Sequence, residues 1–502
     1  MKSVTGQLED LYALANDQHV VVVGAGVGGL VAAFECAKVG MRVTVLEAAE
    51  RAGGVVRSDE VAGLRLDLGA ESFATRGGHV RALVEEIGLA DDVVAPGTGA
   101  GGAWVAGVPG IGAAPLPAGG VLGIPASPFA EDVRRIIGWG GAWRAYLDRV
   151  KPVLTIGHEH SLGRLVRGRL GPKVLDRLVA PVTTGVYSAL PDDIDPDIAA
   201  PGLNAALTRT GSLTGAVAEL AGARGTAPGG AALGIRGGMG RLVEALVGRL
   251  DVLGGEVRTS SRVERIEEAD EGWVVHVAPT AGDEGASPAV GDAPDETPST
   301  LEADLLIVAV EEAEARRLVS PHVAGLAAEP DRPGPVVELV TLVLDTETLD
   351  ARPRGTGVLT VPGSHTAKAL THATAKWQWV ADLAGPHRHV VRISFGTQSE
   401  PPATAGLSDD DAVALALSEA SALLGVPLAG TELVGARRER FAQAQPAATA
   451  GLAEATAQAR EAIRAVPALG AVGAWLAGTG LAQVVPDAIA EADRVRRSAL
   501  FG

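Results

Sequence analysis

Three glycines and an acidic residue near the start of the chain have the types and spacing of a dinucleotide-binding site. Gly24, Gly26 and Gly29 match the pattern G-x-G-x-x-G, and Glu47 follows about 20 residues further on. In such a site the first glycine permits a tight turn, the second lets backbone amides approach a pyrophosphate, and the third lets a helix pack closely on a strand. The acid accepts the hydroxyls of a ribose. The pattern therefore predicts that the chain binds a dinucleotide.

The elements around these residues are the ones that would hold them in place. The run of valines from Val20 to Val23 predicts a strand that is buried on both faces and leads into Gly24. Apolar residues at helical spacing follow, Gly40 is placed to end that helix, and a second strand ends at Glu47. A second match to the glycine pattern follows a proline and opens the Gly/Pro-rich stretch 97–130, which is predicted to be loop.

Composition limits the classes to which the protein can belong. The length of 502 residues predicts two or three domains, and a hydrophobic content of 47% is enough for sizeable cores. The net charge of −18 argues against nucleic acid as a partner and against electrostatic attraction to anionic membranes. Cys36 is the single cysteine, so an intrachain disulfide is excluded and a reducing cytoplasm is favoured. We expect a polar leader over residues 1–17, and neither a signal peptide nor a membrane-spanning segment.

Further glycine turns lie behind the first motif and near the end of the chain. The turn Arg51-Ala52-Gly53-Gly54 comes shortly after Glu47, and a short predicted strand from Leu64 ends at the turn Gly69 to Ser72. Near the C-terminus, another predicted strand leads into a glycine turn at Gly478. Near both ends of the chain, a glycine turn thus connects a predicted strand to a predicted helix. This arrangement predicts one nucleotide-binding domain assembled from distant segments, with a second domain inserted between them.

The rest of the chain alternates between predicted helices and strands. One segment differs, because residues 279–300 are rich in Ala, Gly, Pro, Asp, Glu and Ser, which predicts a disordered acidic insertion at the tip of a long hairpin. Helices are predicted over most of 131–200 and at 203–222, 241–250, 409–424, 453–465 and 487–500, and strands at 254–258, 263–266, 273–277, 303–310, 336–344, 357–361 and 389–395.

Four further segments accompany these turns: Glu71-Ser72-Phe73 with Arg76, the stretch Pro115 to Pro125, the stretch Arg169 to Tyr187, and Lys376-Trp377. The Arg51-x-Gly-Gly turn behind the acid is similar to the second signature of the amine-oxidase-like flavoproteins, and with the four segments the chain resembles the protoporphyrinogen and coproporphyrinogen oxidase branch of that superfamily. The resemblance covers nearly the whole chain from about residue 19. The family's Ala-Gly-Asp after a tyrosine is replaced here by Ser188-Ala189-Leu190.

The resemblance implies a mixed α/β fold. A Rossmann-type FAD-binding domain of the amine-oxidase/p-hydroxybenzoate-hydroxylase type would carry an inserted mixed-sheet substrate domain and a helical subdomain. The implied domain ranges are 1–72, 236–312 and 441–502 for the FAD-binding domain, 73–98, 201–235 and 313–440 for the substrate-binding domain, and 99–200 for the helical subdomain.

The resemblance also implies that FAD is the cofactor and assigns its contacts. The first glycine motif and Glu47 would hold the diphosphate and the ADP ribose, and the main chain of Val263 would meet the adenine. Trp475 and the turn from Gly478 would close over the pyrimidine side of the flavin. The implied cofactor-binding residues are Gly24, Ala25, Gly26, Val27, Gly28, Gly29, Glu47, Ala48, Arg51, Gly54, Gly69, Ala70, Glu71, Ser72, Val263, Trp475, Gly478, Val484 and Val485.

The activity that the resemblance implies is the oxygen-dependent oxidation of a porphyrinogen in haem biosynthesis. Loss of six electrons requires three two-electron flavin cycles, each with hydride transfer to flavin N5 and reoxidation by O2 to give H2O2. Coproporphyrinogen III is the preferred substrate, because the chain resembles the soluble bacterial forms, and protoporphyrinogen IX is the close alternative. A second enzyme class on the same fold is an amine oxidase or a carotenoid-type desaturase, although the chain has only three tyrosines for an amine-binding aromatic cage. A nucleotide-binding redox sensor without catalysis and a nicotinamide dehydrogenase are further alternatives.

The candidate substrate residues are basic or lie close to the macrocycle in the family. Arg76 is the first choice for binding a propionate, because the family places a basic residue there and a guanidinium meets a carboxylate with two hydrogen bonds. A solvated surface arginine is the alternative. Lys376 has three open roles: a lysine–water pair at flavin N5, a second carboxylate contact, or a structural residue. Tyr187 and the carbonyl of Gly185 could face the macrocycle, and a packed core tyrosine is the alternative for Tyr187. No metal is expected, and His158-x-His160 is interpreted as a pair of surface histidines.

The implied partners are the porphyrinogen and O2, without nucleic acid and without a transmembrane segment. A handover of product to a ferrochelatase is implied, and the chain could be a monomer or a homodimer. A cytoplasmic location is expected, with loose membrane association left open.

Overall fold

A computed structural model describes residues 4–97, 99, 101–152, 159–223, 232–278, 299–330, 334–442 and 452–501. In these residues the strands are β1 (His19–Val23), β2 (Arg42–Leu46), β3 (Ser58–Val61), β4 (Leu64–Asp67), β5 (Phe73–Ala74), β6 (Val93–Val94), β7 (Trp104–Val108), β8 (Gly112–Pro115), β9 (Ala232–Ile235), β10 (Glu256–Arg258), β11 (Val263–Glu268), β12 (Trp273–Val277), β13 (Ser299–Ala303), β14 (Leu305–Val308), β15 (Val336–Asp345), β16 (Gly357–Thr360), β17 (Ala369–His372), β18 (Arg388–Phe395), β19 (Leu433–Ala442) and β20 (Leu469–Ala471).

Helices connect and cover these strands. In the same residues they are α1 (Val4–Asp17), α2 (Val27–Ala37), α3 (His79–Glu86), α4 (Glu131–Tyr146), α5 (Leu162–Leu170), α6 (Pro172–Val174), α7 (Ala180–Tyr187), α8 (Pro196–Ala199), α9 (Leu203–Thr210), α10 (Leu213–Ala223), α11 (Gly240–Val252), α12 (Glu312–Val319), α13 (Ala373–Lys376), α14 (Gln378–Ala384), α15 (Asp409–Leu424), α16 (Leu452–Arg464), α17 (Ala474–Ala477) and α18 (Leu481–Phe501).

A five-stranded parallel sheet lies at the centre of the nucleotide-binding part. Its order is β10-β2-β1-β14-β20, so strands from both halves of the chain meet in one sheet, as the glycine turns predicted. Val20 pairs with Val43 on one side and with Leu305 on the other. The valines are buried on both faces, because Val20 and Val22 pack with α2 in one core while Val21 and Val23 pack with β11 and β12 in another. Cys36 is buried in α2, and burial raises the pKa of its thiol to about 12, so it is an inert core residue.

A seven-stranded mixed sheet, in the order β19-β15-β18-β17-β16-β7-β8, forms the second layer. The prediction that residues 97–130 are loop was wrong, because β7 and β8 lie within that range. They form a hairpin whose Trp104 pairs with Pro115, and β7 continues the sheet by pairing in parallel with β16. Glycine and proline lower strand propensity, but packing against a neighbouring strand overrides that preference. The domain ranges themselves stay a prediction.

A layer of helices from α4 to α10 packs around its own core, which includes Ile136, Leu162, Leu178 and Leu203. Residues 203–222 were predicted as one helix, but the structure divides them into α9 and α10 at Gly211, whose φ is +74°. A left-handed residue of this kind ends a helix.

The N-terminal segment and the last helix also differ from the expectation. Residues 4–17 form α1 rather than a loose polar leader, and Ala15 is buried against the central core. The last helix begins at Leu481, six residues earlier than predicted, and it contains Pro486 in its second turn.

A third sheet, β11-β12-β13, is antiparallel, and Val277 of β12 pairs with Ser299 of β13. The acidic segment 279–300 therefore joins two paired strands, as a hairpin connection does, and its residues 279–298 lie outside the described residues. In the part of the chain that the structure describes, no helix has the length and apolar character needed to cross a bilayer, and no group of three His, Cys, Asp or Glu could hold a metal ion.

Candidate active site

The carboxyl ends of the central parallel strands form one edge on which the glycine turns converge. Gly24 follows β1, Glu47 follows β2, Ala309 follows β14 and Gly473 comes two residues after β20. The amide of Ala309 donates to the carbonyl of Val23, and the amide of Val472 donates to that of Val308. In open α/β sheets, ligands bind at this edge where neighbouring connections leave in opposite directions.

The three motif glycines have different surroundings. Gly24 has a φ of +104°, and a Cβ there would lie 2.6 Å from the carbonyl oxygen of Ala309. A Cβ on Gly29 would collide with the carbonyl oxygen of Gly24, so this glycine permits the close approach of α2 to β1. A Cβ on Gly26 would meet nothing within 4 Å. Gly26 therefore borders open space at the N-terminus of α2, where backbone amides and the helix dipole attract phosphate.

Glu47 is fixed at the same edge by backbone amides. Its Oε2 accepts from the amide of Ala25 at 2.7 Å, and its Oε1 accepts from that of Ala49 at 2.9 Å. A carboxylate can accept about four hydrogen bonds, so acceptor positions remain for a ribose. The amide of Ser261 donates to the Glu47 carbonyl, which brings the start of β11 at Val263 beside the acid.

The second glycine turn packs directly on the first. The amide of Gly53 donates to the carbonyl of Ala25, and Gly54, with a φ of +58°, would place a Cβ 3.5 Å from Cα of Gly26. Arg51 is half exposed, and its guanidinium bonds the carboxylate of Asp59 at 2.7 Å. This hydrogen bond lowers the pKa of Asp59 to about 2. The role of Arg51 toward the cofactor stays a prediction.

The turn Gly69 to Ser72 is held by a partly buried group of three charges. Glu71 accepts from Lys376 at 2.5 Å and from Arg392 at 3.0 Å. Burial alone would raise the pKa of Glu71, but the two cations outweigh it and lower that pKa to about 2. Arg392 also donates to the carbonyl of Gly69 at 2.7 Å. Of the three roles left open for Lys376, this geometry supplies the structural one, and the other two stay predictions.

The C-terminal turn brings Arg76 to the same region. With its amide oriented to satisfy both neighbours, Gln483 donates to the carbonyl of Ala477 at 2.7 Å and accepts from Arg76 at 3.0 Å. Gly478 has a φ of +94°, and a Cβ there would collide with the side chain of Gln483. The exposed guanidinium of Arg76 therefore lies beside the turn that begins at Gly478.

The neighbours of this turn include other predicted cofactor residues. Val484 lies 3.1 Å from the Cβ position of Gly28, so the turn touches the first motif. Val485 is fully buried, and Trp475 is 6% exposed with the guanidinium of Arg316 5.6 Å from its ring.

Gly185 and Tyr187 lie where the helical layer meets the seven-stranded sheet. They belong to α7, which follows a π-helical turn at Leu175–Val179, and such turns often mark functional sites. Gly185 packs so closely on Leu359 that a Cβ would collide with it. Tyr187 is half buried against the helical core, which is the packing expected of a core tyrosine. Any contact of either residue with a substrate stays a prediction.

Half-buried Asp67 and buried Lys368 are among the ionisable residues that the sequence reasoning missed. Asp67 accepts from Ser58 and from the amide of Met239, and burial raises its pKa to about 6. Lys368 is buried beside Ser188. The only signal in the sequence was that each charged residue lies at the border of a strand-like stretch. Such a position is usually exposed at the surface, so the signal did not indicate burial. Of the two predicted surface histidines, His160 is 61% exposed and bonds Asp195, and His158 lies outside the described residues.

Comparison with known proteins identifies the family. The model of the flavin containing amine oxidoreductases matches residues 27–495. The chain belongs to this family.

Coproporphyrinogen III oxidase of Mycobacterium tuberculosis strain H37Rv is 31% identical to this flavoprotein over 95% of the chain and 96% of its own length. The protein of that name from Propionibacterium freudenreichii is 27% identical over 97% and 92%, respectively. A crystal structure assigned as a protoporphyrinogen oxidase, from Exiguobacterium sp. 255-15, has the same fold, with a TM-score of 0.78 and 23% identity over 96% of this chain and 99% of that one.

FAD is the cofactor of this flavoprotein, and the residues at the sheet edge fit it. The open space at Gly26 and the N-terminus of α2 suit a diphosphate, and the fixed carboxylate of Glu47 suits the ADP ribose. The predictions of a mixed α/β fold of the amine-oxidase type, of an oxidoreductase and of FAD are confirmed.

Proposed function

We propose that this flavoprotein oxidises coproporphyrinogen III to coproporphyrin III with O2 as the electron acceptor. The observation that carries the proposal is the alignment, over nearly the whole chain, with coproporphyrinogen III oxidases of two bacterial genera. The substrate loses six electrons and six hydrogens, and three O2 become three H2O2. Bound FAD supplies the hydride acceptor and the reaction with O2.

The chain's own residues bind and orient the two molecules. The amides at the start of α2 and the carboxylate of Glu47 hold the cofactor, since both lie at the carboxyl edge of the central sheet. Glu71, fixed by Lys376 and Arg392, holds the turn that the family places along the flavin. Arg76 is exposed and binds a propionate, because its guanidinium matches a carboxylate.

The test is the growth of porphyrin fluorescence when the yellow, FAD-loaded protein meets a porphyrinogen in air. Coproporphyrinogen III and protoporphyrinogen IX are compared at equal concentration, with the autoxidation rate subtracted and H2O2 measured in parallel. We expect faster oxidation of coproporphyrinogen III and three H2O2 for each porphyrin formed. The reverse preference would favour the protoporphyrinogen alternative. No acceleration with either substrate would remove the porphyrinogen hypothesis.

We also propose a cytoplasmic location, handover of the product to a ferrochelatase, and loose contact with a membrane surface. Cys36, buried as a thiol, supports a reducing compartment. Trp139, Trp143 and Tyr146 on α4 are 60%, 58% and 38% exposed, and exposed Trp and Tyr favour a membrane interface. Co-sedimentation of the protein with vesicles tests the membrane contact, and sedimentation velocity distinguishes a monomer from a homodimer.

A further inference from the structure

Lys368 is a buried amine on the connection between β16 and β17. Only 7% of its surface is exposed, and its ammonium donates to the hydroxyl of Ser188. Ser188 is fully buried and adopts a φ of +55°, which is uncommon for a residue with a side chain. Its carbonyl accepts from the amide of Gln398 at 2.7 Å. Contacts with the helical layer and with the end of β18 therefore hold Ser188 in place.

The acidic groups on the elements around Lys368 have other partners. Glu338 of β15 bonds Arg438 at 2.8 Å, and Glu419 of α15 accepts from the amide of Ala367 at 3.1 Å. On the neighbouring strand β18, Arg392 pairs with Glu71, and Arg388 begins the strand six residues before Ser394, whose carbonyl accepts from the amide of Lys368. Among the described residues no carboxylate pairs with Lys368, and burial is the cause that lowers its pKa to about 7.

Lys368 lies next to Gly185 and Tyr187, the residues that the family resemblance assigns to the macrocycle. Ser188 directly follows Tyr187 at the C-terminus of α7. The carbonyl oxygen of Lys368 lies 3.5 Å from the Cβ position of Gly185, so the backbones of the two segments are in close contact. The backbone of Lys368 therefore contacts Gly185, and its side chain bonds the residue that follows Tyr187, although Lys368 is not part of α7.

Burying an ammonium without a counter-charge is unfavourable, and such a group loses its proton instead. An ammonium has three donors, and the hydroxyl of Ser188 uses one. The ligand chemistry that would complete the site is a carboxylate, because a charged hydrogen bond restores the proton and satisfies a second donor.

We propose that Lys368, together with Ser188, receives one carboxylate of the substrate beside Gly185 and Tyr187. Lys368 is then a specificity-determining residue that favours macrocycles with an acidic side chain on that edge. The inference rests on the proposed function, which supplies a porphyrinogen with propionates. The proposal adds Lys368 to Arg76 as a second basic residue that binds a carboxylate of the substrate. The two residues lie far apart in the sequence.

Proton uptake on binding tests this assignment directly. Coproporphyrin III, the stable product, is titrated into the FAD-loaded protein by calorimetry in two buffers that differ in ionisation enthalpy, at pH 8 and at pH 6. A carboxylate that pairs with Lys368 raises its pKa, so we expect the wild type to take up close to one proton at pH 8 and much less at pH 6. We expect Lys368→Met to abolish the uptake at pH 8 and to weaken binding by about tenfold, the effect of one charged hydrogen bond. The control Lys173→Met removes an exposed lysine and should match the wild type.

Two results would overturn the inference: wild-type binding without proton uptake at pH 8, or uptake that persists in Lys368→Met. The first depends on the wild type alone, so it applies even if the variant fails to fold. A wild type that oxidises coproporphyrinogen III but shows no uptake refutes the role of Lys368 and leaves the proposed function in place. A wild type that neither oxidises coproporphyrinogen III nor binds coproporphyrin III refutes both.

Discussion

Two glycines of one motif differ in what requires them: Gly29 is required by the packing of the protein, and Gly26 is expected to be required for ligand binding. Gly29 is needed by the protein alone, because a Cβ would collide with the carbonyl oxygen of Gly24 and lie 2.9 Å from Cβ of Ala309. We expect Gly26 to be needed only for ligand binding, because its Cβ direction is open and its φ of −64° suits any residue.

Alanine at each position separates these two requirements. Gly29→Ala should destabilise the apoprotein by about 1–3 kcal/mol, the usual cost of overpacking. Gly26→Ala should leave the melting temperature of the apoprotein nearly unchanged and weaken FAD binding. Thermal unfolding without FAD and fluorescence titration with FAD measure the two effects. Equal loss of apoprotein stability in both variants would contradict this division.

Arg76 is exposed, so its replacement should affect substrate binding more than folding. We expect Arg76→Met to raise the KM for coproporphyrinogen III by about tenfold, because it removes one charged hydrogen bond, and to change kcat little. Arg81→Met is the matched control, since Arg81 is also exposed and, among the described residues, pairs with Glu85 on its own helix. Steady-state fluorescence kinetics gives both constants. An unchanged KM in Arg76→Met would exclude Arg76 as a propionate contact.

Lys368 should also give the free protein a characteristic pH dependence. Its pKa is about 7 in the folded state and ordinarily 10.5, so between these values the unfolded state binds more protons. Stability therefore gains a contribution that rises with pH from about 7 upward. The melting temperature of the wild type relative to Lys368→Met should increase between pH 7 and pH 8.5. A constant difference across this range would show that Lys368 carries no shifted pKa.

At the scale of elements, one buried ion pair joins three parts of the helical layer. Asp148 is fully buried in the 3-10 turn Leu147–Val150 and bonds Arg169 of α5 at 2.6 Å. Its second oxygen accepts from the amide of Thr214 at the start of α10. Removing the arginine would leave a buried carboxylate without a counter-charge.

The same helix offers a matched exposed arginine. Arg169→Met should lower the free energy of unfolding by about 3–5 kcal/mol, the cost of breaking a buried pair. Arg167→Met removes a pair with Asp192 whose side chains are 50% and 49% exposed, and should cost less than about 1 kcal/mol. Urea unfolding monitored by circular dichroism compares the two variants. Equal effects would mean that Asp148 is not isolated from water.

Elements with strong local signals could be predicted from the sequence, and elements that depend on distant partners could not. The valines of β1, the glycines beside it and the helix Asp409–Leu424 carry their own periodicity or turn chemistry. The hairpin of β7 and β8 is stabilised by β16, roughly 250 residues later, so its local composition indicated loop.

The site shows the same division. The glycine turns and Glu47 at the edge of the central sheet could be predicted from the sequence because they follow one another in short motifs, and their contact with FAD stays a prediction. The pairing of Glu71 with Lys376 spans 305 residues, and the burial of Lys368 depends on the helical layer that covers it. No single stretch of sequence contains either relation, because each arises only when the two sheets and the helical layer have packed.

At the scale of the whole molecule, bound FAD should stabilise the fold by contacting segments that are distant in the sequence. The edge proposed as its binding site is built from residues that follow β1, β2, β14 and β20. Binding to the folded state alone stabilises it by about 2.7 kcal/mol at a ligand concentration 100 times the Kd. We therefore expect removal of FAD to lower the melting temperature, and graded addition of FAD to restore it.

The control for this effect is Gly26→Ala, whose melting temperature should respond weakly to the same additions of FAD. A melting temperature of the wild type that does not depend on FAD would contradict a site shared among these segments. Differential scanning calorimetry on apoprotein and reconstituted protein provides the measurement.

The pairing of Val277 with Ser299 makes the acidic segment a convenient point for engineering. Paired residues of antiparallel strands lie about 5 Å apart, so the two ends of the segment are neighbours wherever the chain between them goes. A reporter or affinity tag whose own termini are close together can be grafted there without stretching β12 or β13. A short two-residue turn could equally replace the segment and keep the strand register.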